Sequence, residues 1–162
     1  MIVVCDASPI IALALCGQLE LLDKLFNVVL IPLEVFNEST IEGKEPTPFI
    51  RKWAAGKIVE VSDRQKVNIF NETLDKGESE AIALALEKAA DYLLVDEKKG
   101  RKTATENRIK VIGSLGVLIM AKRKGLIKLI KPSLDLLRNS STRISNFLYD
   151  QALKIAGETG SR

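Results

Sequence analysis

The feature that most constrains the fold is a pair of short apolar runs, each of which stops at an aspartate. Residues 92–95 are followed by Asp96, and residues 2–5 are followed by Asp6. A run of four apolar residues beside charged ones is too short for a helix and is typical of a buried strand in a parallel sheet. In open α/β sheets, ligands bind at the carboxyl ends of the strands. We therefore expect both aspartates to lie at a functional edge of one sheet.

The rest of the chain alternates between strand-like and helix-like segments. Strands are predicted at residues 2–5, 28–31, 58–61, 92–95 and 110–112, with helical segments between the first four strands and after the fifth. This alternation predicts a three-layer α/β/α fold with a five-stranded parallel sheet. A chain of 162 residues that is 46% apolar can form one domain with a full core.

The last part of the chain reads as a helical extension. We expect residues 1–125 to form the core of the domain and residues 126–162 to pack on it as C-terminal helices. Phe147, Leu148, Ala152 and Ile155 make an apolar stripe on the last predicted helix, at 144–156. The stripe is expected to cover the core, and contact with a partner is the alternative. The tail at 157–162 is predicted to be frayed.

Several residue types and motifs are missing, and their absence narrows the chemistry. The chain has no histidine, which excludes Ser-His-Asp and Cys-His catalysis and histidine zinc sites. Dinucleotide-binding and Walker-type glycine motifs are also missing. Cys5 and Cys16 lack a CxxC spacing and are expected to be buried, reduced thiols. If the protein is an enzyme, carboxylates must carry its chemistry.

Targeting signals were not found in the sequence. No charged leader precedes an apolar segment, and the apolar stretch at 10–16 is far shorter than the roughly 20 residues that cross a membrane. We therefore expect a cytoplasmic protein that has no contact with a membrane.

Charge is distributed unevenly along the chain. Residues 1–97 contain 17 acids and 9 bases, whereas residues 98–131 contain 11 bases and 1 acid. Such asymmetry is typical of proteins that bind a polyanion. Ordinary solvated lysines are an equally weighted explanation on charge alone.

Two further segments place candidate groups near the strand ends. Ser8 and Pro9 predict the start of a helix, with Ser8 as N-cap and the proline in the first position. Glu34 and Glu38 lie four residues apart on one helix face, and spacing alone does not choose between them.

A third segment carries another pair of glutamates. Asp75 and Glu78 are spaced as a capping pair at a helix start. Glu78 shares its side of the helix with apolar residues, which favours Glu78 over Glu80 as a ligand.

Four segments, in order, resemble the PIN domain, specifically a prokaryotic PIN-like subgroup. They are MIVVCDASPIIALA (1–14), LIPLEVFNE (30–38), GESEAIALALEKAADYLLVDE (77–97) and RIKVIGSLGVLIMAKRKGLI (108–127). The resemblance covers most of the chain. It implies the strand order 3-2-1-4-5, in which strands 1 and 4 are neighbours.

The resemblance also implies which residues form the site. The metal-binding acids of the family fall on Asp6, Glu38, Glu78 and Asp96, and the IPxxVxxE form of residues 31–38 favours Glu38 over Glu34. Ser8 matches a hydroxyl near the metal. Two positions depart from the family pattern: Glu78 stands where aspartate is more frequent, and Gly100 stands where many relatives carry a further acid.

These observations lead to a functional expectation. Carboxylates that lie close together need a compensating cation, and oxygen ligands suit Mg²⁺ or Mn²⁺. We expect a metal-dependent ribonuclease in which Asp6, Glu38, Glu78 and Asp96 hold the metal and Ser8 positions substrate or water. The RNA backbone would be bound by Lys98, Lys99, Arg101 and Lys102. Relatives of the toxin type imply a homodimer and a small antitoxin partner.

Two alternatives remain open. A non-catalytic PIN module that binds RNA or protein would bind metal weakly and keep its RNA affinity in Asp6→Asn. A phosphotransfer enzyme with Asp6 as nucleophile is disfavoured, because such motifs have a second acid at position 8, where Ser8 stands.

Overall fold

The protein is built around one parallel sheet. The computed structural model describes residues 1–159, and residues 160–162, the end of the predicted extension, lie outside the described residues. The strands occur in the order β3-β2-β1-β4-β5, which confirms the predicted topology. Their bounds are β1 Ile2–Cys5, β2 Val28–Pro32, β3 Ile58–Val59, β4 Tyr92–Leu94 and β5 Val111–Ile112.

The centre of the sheet brings the two predicted strand ends together. β1 pairs in parallel with both β2 and β4, and Cys5 lies opposite Leu94. The backbone N–H of Asp6 donates to the carbonyl oxygen of Leu94 at 2.9 Å. Val3, Val4, Cys5 and Leu94 are fully buried because helices cover both faces of the sheet. Asp6 and Asp96 therefore emerge at the same edge.

Ten helices lie in the described part of the chain. In chain order they are α1 Ala7–Leu15, α2 Glu20–Leu25, α3 Leu33–Ser39, α4 Thr47–Trp53, α5 Arg64–Phe70, α6 Lys76–Glu87, α7 Lys98–Glu106, α8 Ser114–Arg123, α9 Lys131–Arg138 and α10 Asn146–Ile155. One layer groups α1 with α4, α8 and α9, and the opposite layer groups α6 with α5 and α7. α3 contacts both α1 and α6. None of the helices in residues 1–159 is long and apolar enough to span a membrane.

Two local predictions near the sheet edge need correction. α1 begins at Ala7 with Asp6 as its N-cap, because Asp6 still has an extended backbone (φ −89°, ψ 167°). Ser8 therefore lies inside the first turn and is not the cap, and Pro9 occupies the third helical position. The basic segment after β4 forms a helix, α7, that the sequence analysis did not predict.

The apolar stripe predicted on the last helix has the wrong phase. The residues of α10 that are buried are Tyr149, Ala152 and Leu153, whereas Phe147 is 70% exposed and Ile155 54% exposed. Tyr149 takes the buried position because its hydroxyl donates to Asp135 on α9 at 2.5 Å and the guanidinium of Arg138 lies 3.8 Å from the ring centre.

The prediction of a frayed tail is wrong for residues 157–159, where Glu158 is held in place, and the rest of that tail, residues 160–162, lies outside the described residues. The Glu158 carboxylate accepts hydrogen bonds from the backbone N–H groups of Ile130 and Lys131, at 2.8 and 3.1 Å. It also accepts from the Lys122 ammonium at 2.9 Å. These contacts lower the pKa of Glu158 even though burial opposes them. They fix the start of α9 against the end of α8.

Candidate functional site

Asp6 forms the centre of a group of carboxylates at the carboxyl edge of the sheet. It follows the central strand, and only 4% of its surface is exposed. Burial raises the pKa of Asp6 to about 7; the N–H of Ala7 opposes this, and repulsion from Asp75, Glu38 and Glu97 adds to it. The side chain is therefore costly to ionise unless a positive charge lies beside it.

Glu78 reaches the same group from the first turn of α6. Its backbone N–H donates to Asp75 Oδ1 at 2.8 Å, and its own Oε2 accepts from the N–H of Asp75 at 3.4 Å. The predicted capping box is thereby confirmed. Burial, a hydrogen bond shared with Glu97, and repulsion from Asp75 and Asp6 raise the pKa of Glu78 well above its ordinary value. One carboxylate thus caps α6 and also faces the site.

Glu38 is brought to the group by α3. The N–H of Gly77 donates to Glu38 Oε1 at 3.1 Å, and a Cβ atom at position 77 would overlap the Glu38 carboxylate. Glycine at the start of α6 is therefore what lets Glu38 lie on the helix backbone. Burial and repulsion from Asp75 raise the pKa of Glu38.

Glu80, also on α6, is buried but is paired with a positive charge. Glu80 is 7% exposed, so burial does not distinguish it from Glu78. Its two oxygens accept from the N–H of Glu34 at 3.3 Å and from the guanidinium of Arg64 at 3.1 Å. Glu80 thus caps α3 and pairs with a base. Within residues 1–159, no lysine or arginine forms a salt bridge with Asp6, Glu38 or Glu78.

The two acids after β4 turn to different neighbours. Asp96 accepts from the backbone N–H of Ser114 at 2.8 Å and from its hydroxyl at 2.9 Å, so both oxygens are engaged at the start of α8. Glu97 accepts from the hydroxyl of Ser8 at 3.2 Å and lies beside Glu78. The structure therefore brings together Asp6, Glu38 and Glu78 with Asp75 and Glu97, and it places Asp96 against Ser114.

A comparison with protein families decides the identity of this arrangement. The model of the PIN domain family matches residues 2–158, nearly the whole chain. The chain belongs to the PIN domain family. Comparison with curated proteins and with solved structures gives no significant match. PIN domains have a nuclease-like fold, are generally nucleases that act on nucleic acid, and usually use divalent metal ions.

The acids of this PIN domain fit a divalent cation by their chemistry. Carboxylate oxygens are the donors that Mg²⁺ and Mn²⁺ prefer. Burial raises the pKa values of Asp6, Glu38 and Glu78, and none of the three forms a salt bridge with a lysine or arginine within residues 1–159. Among the described residues, no group of three or more acidic, histidine or cysteine side chains is arranged to hold one ion. The donors are present, and they would need to rotate toward a shared ion.

The basic residues predicted to bind RNA divide into two pairs on α7. Arg101 donates to the carbonyl oxygen of Val95 at 2.9 Å, and the Lys99 ammonium donates to that of Thr73 at 3.2 Å. Both side chains therefore help to dock α7 on the domain. Lys98 and Lys102 are exposed and make no such contact within residues 1–159.

Two members of the cluster were not predicted as site residues. Asp75 was assigned only a capping role, and Glu97 no role. The signal for Asp75 is that it is the N-cap of α6, two residues before Gly77. Because Glu38 binds the N–H of Gly77, the cap of the same helix must also lie close to Glu38. The signal for Glu97 is that it directly follows Asp96 at the carboxyl end of a buried strand.

Proposed function

We propose that this PIN domain is a metal-dependent ribonuclease that hydrolyses phosphodiester bonds of RNA with Mg²⁺ or Mn²⁺. The observation that carries the proposal is that two buried carboxylates, Asp6 and Glu78, lie with the half-buried Glu38 at the edge of the sheet, and none of the three forms a salt bridge with a base in residues 1–159. A bound divalent ion supplies a water of lowered pKa and neutralises charge on the leaving oxygen.

The residues of the chain have separate roles in this proposal. Asp6, Glu38 and Glu78 would hold the ion. Ser8 lies in the first turn of α1 and would orient substrate or water through its hydroxyl. Asp96 is proposed as a further ligand: each of its oxygens accepts one hydrogen bond from Ser114 and keeps a second lone pair for a metal ion.

The exposed lysines of α7 are proposed to bind the RNA backbone. Lys98 and Lys102 are on the helix that begins beside the cluster. Replacing both with alanine should weaken RNA binding for every sequence and reduce the slope of log K against log salt by about 1 to 2. Lys66→Ala, an exposed lysine on α5, is the control and should leave both quantities unchanged.

The test of the nuclease proposal is cleavage of a structured and an unstructured RNA during titration with Mn²⁺ or Mg²⁺. Wild-type protein should cleave with metal and not with a chelator. Asp6→Asn and Glu78→Gln should each lose at least about 100-fold in rate, because even residues that only support metal ligands cost 10–100-fold. Asp150→Asn, an exposed acid on α10, should keep full activity. Equal cleavage by Asp6→Asn and wild type would refute the proposal.

A second candidate function is a PIN module that binds RNA or protein without cleaving it. It is favoured by the observation that no three ligands among residues 1–159 are already arranged around one point. In that case Asp6→Asn would keep the RNA affinity of wild type, and Mn²⁺ would neither promote cleavage nor raise the melting temperature.

The family resemblance supplies proposals about partners and location. A cytoplasmic toxin that forms a homodimer and is inhibited by a small antitoxin would fit the toxin-type relatives. Light scattering of the purified chain tests the dimer, and growth arrest on expression, relieved by a co-expressed neighbouring gene product, tests the toxin role.

A further inference from the structure

We infer that a cleft at the amino edge of the sheet, opposite the acidic cluster, binds the backbone of the RNA strand that extends away from the cation site. The cleft lies at the end of α7, and its basic side chains are Arg108 and Lys110. This inference rests on the proposed function, because it assigns a second, distant contact to the same RNA.

Helix α7 connects the two edges of the sheet. It follows β4 and leads to β5, and these two strands pair in parallel. A connection between parallel strands returns from the carboxyl edge to the amino edge, so α7 starts beside the acidic cluster and ends at the opposite edge. Its nine residues span about 14 Å at a rise of 1.5 Å per residue. The exposed Lys98 and Lys102 lie in its first half, and an RNA backbone that follows them along the helix arrives at the cleft.

The cleft has side chains that suit a sugar-phosphate backbone. Its volume is about 530 Å³, and it is lined by Tyr92, Thr105, Arg108, Ile109, Lys110 and Val111. Bases and hydroxyls are common partners of phosphate oxygens, and no acid of the described chain lines this cleft. The ring of Tyr92 is packed edge-on against that of Phe26, with 6.0 Å between the ring centres, and forms a fixed wall. The carboxylate of Asp91, the residue before Tyr92, already accepts from the N–H of Ile2 at 2.6 Å.

The two bases of the cleft are not used by the fold. Residues 107–131 contain seven bases and no acid. Two of these bases, Lys122 and Lys131, form salt bridges of 2.9 Å, whereas Arg108 and Lys110 are exposed and form none within residues 1–159. A base near the end of a helix can stabilise the helix dipole, but Lys110 lies beyond α7, where its carbonyl oxygen accepts from Leu93 at 2.8 Å. The positive charge is therefore available to a polyanion.

The backbone at Arg108 allows the charge to be removed without loss of stability. Arg108 has a left-handed conformation, with φ at 62°, just after the end of α7, where the N–H of Ile109 donates to the carbonyl oxygen of Ala104 at 2.9 Å. Glycine adopts this conformation without strain, so Arg108→Gly removes the guanidinium and relieves the backbone. Ala89, which is exposed after α6, has φ at 48°. Ala89→Gly is therefore the matched control, because it relieves similar strain without changing the charge.

The first measurement is the affinity of the full chain for a single-stranded RNA of about 12 nucleotides, by fluorescence anisotropy in a chelator that prevents cleavage. Arg108→Gly and Lys110→Gln should each weaken binding about 3–5-fold, and the double variant about 10–25-fold, with a slope of log K against log salt that is smaller by about 1.4. Ala89→Gly and Lys66→Ala should bind as wild type does. The melting temperature of Arg108→Gly should equal or exceed that of wild type; should this variant not fold, Lys110→Gln, at an exposed position, decides the test.

The second measurement is cleavage in Mn²⁺ of the same RNA and of one of about 3 nucleotides. At about 3.4 Å between successive phosphates, only the longer strand spans the length of α7. The double variant should lose about 10-fold in kcat/KM on the longer RNA, through KM, and less than about 2-fold on the shorter one, because an RNA that occupies only the cation site does not reach the cleft.

The outcomes separate this inference from the proposed function. If wild type binds the longer RNA and cleaves neither, the proposed nuclease activity fails, and the anisotropy measurements still decide the inference. The cleft is not an RNA site if the double variant binds the longer RNA as wild type does, or if cleavage of both RNAs falls equally. Adenosine monophosphate that binds as tightly as the longer RNA, and loses binding in Lys110→Gln, would identify a free nucleotide as the occupant and overturn the inference.

Discussion

Replacing Asp6 with asparagine is expected to stabilise the metal-free protein at alkaline pH. The Asp6 carboxyl has its pKa raised by burial from 3.8 to about 7. The folded protein therefore keeps a proton that the unfolded chain has already released. Since the free energy of unfolding falls with pH wherever the folded state binds more protons, the contribution of Asp6 is present at acid pH and is lost as pH rises through about 7. Burial raises the pKa values of Glu38 and Glu78 in the same direction.

The size of the effect follows from the pKa difference. Between pH 5.5 and 8.5 the aspartate is fully ionised in the unfolded chain. In the folded protein it stays protonated over about 1.5 pH units of this range, up to its pKa of about 7. At about 1.4 kcal/mol per unit this corresponds to about 2 kcal/mol of unfolding free energy. For a chain of this length, about 2 kcal/mol lowers the melting temperature by about 4–8 °C.

The assay is thermal and urea unfolding of the chelator-treated protein at pH 5.5 and 8.5. Wild type should be less stable at pH 8.5, Asp6→Asn should be less sensitive to pH and more stable than wild type at pH 8.5, and Asp150→Asn should follow wild type. Saturating Mg²⁺ should stabilise wild type more at pH 8.5 than at pH 5.5 and should stabilise Asp6→Asn much less. A wild type whose stability is constant or rises over this range would refute the reasoning, as would an Asp6→Asn variant that is destabilised at pH 8.5.

Three other substitutions test the structure at separate points. Gly77→Ala should push the Glu38 carboxylate away from the site and weaken Mn²⁺ binding about 10-fold in calorimetry, with little loss of stability because the displaced atoms end a flexible side chain. Leu84→Ala removes a fully buried side chain of α6 and should cost about 2–5 kcal/mol in urea unfolding. Glu158→Ala should lower the free energy of unfolding by about 2 kcal/mol or more, because it leaves the Lys122 ammonium and two backbone N–H groups without their acceptor. A melting temperature equal to that of wild type would contradict a stabilising role of these contacts.

The sheet could be predicted because its signal is local. Each central strand is a run of apolar residues that ends at a charge, and β1 and β4 were placed within one residue of their observed bounds. The order of the strands came from the family resemblance and not from the pattern. β3 was predicted too long because Val61 is buried, yet only Ile58 and Val59 pair with β2.

Contacts between distant segments could not be predicted in the same way. Glu158 is held by residues of α8 and α9, and nothing in the tail itself indicates this. The buried face of α10 is set by the hydroxyl of Tyr149 finding Asp135, and a count of apolar residues assigns that face to Phe147. Both errors concern polar groups whose partners lie on other helices.

The contacts of Asp96 and Glu97 depend on a helix, α7, that the apolar pattern of the sequence does not indicate. In α7 the buried residues are Gly100 and Ala104, four apart and too small to register as an apolar stripe, so the segment was treated only as positive charge. Once a helix starts at Lys98, Gly100 fits against Val95 and Glu97 becomes its N-cap at the margin of the cluster. The start of α8 then takes Asp96. The helices that follow β4 and β5 thus determine that Asp96 contacts Ser114 and Glu97 contacts Ser8, and a pattern that detects only large apolar residues cannot predict these contacts.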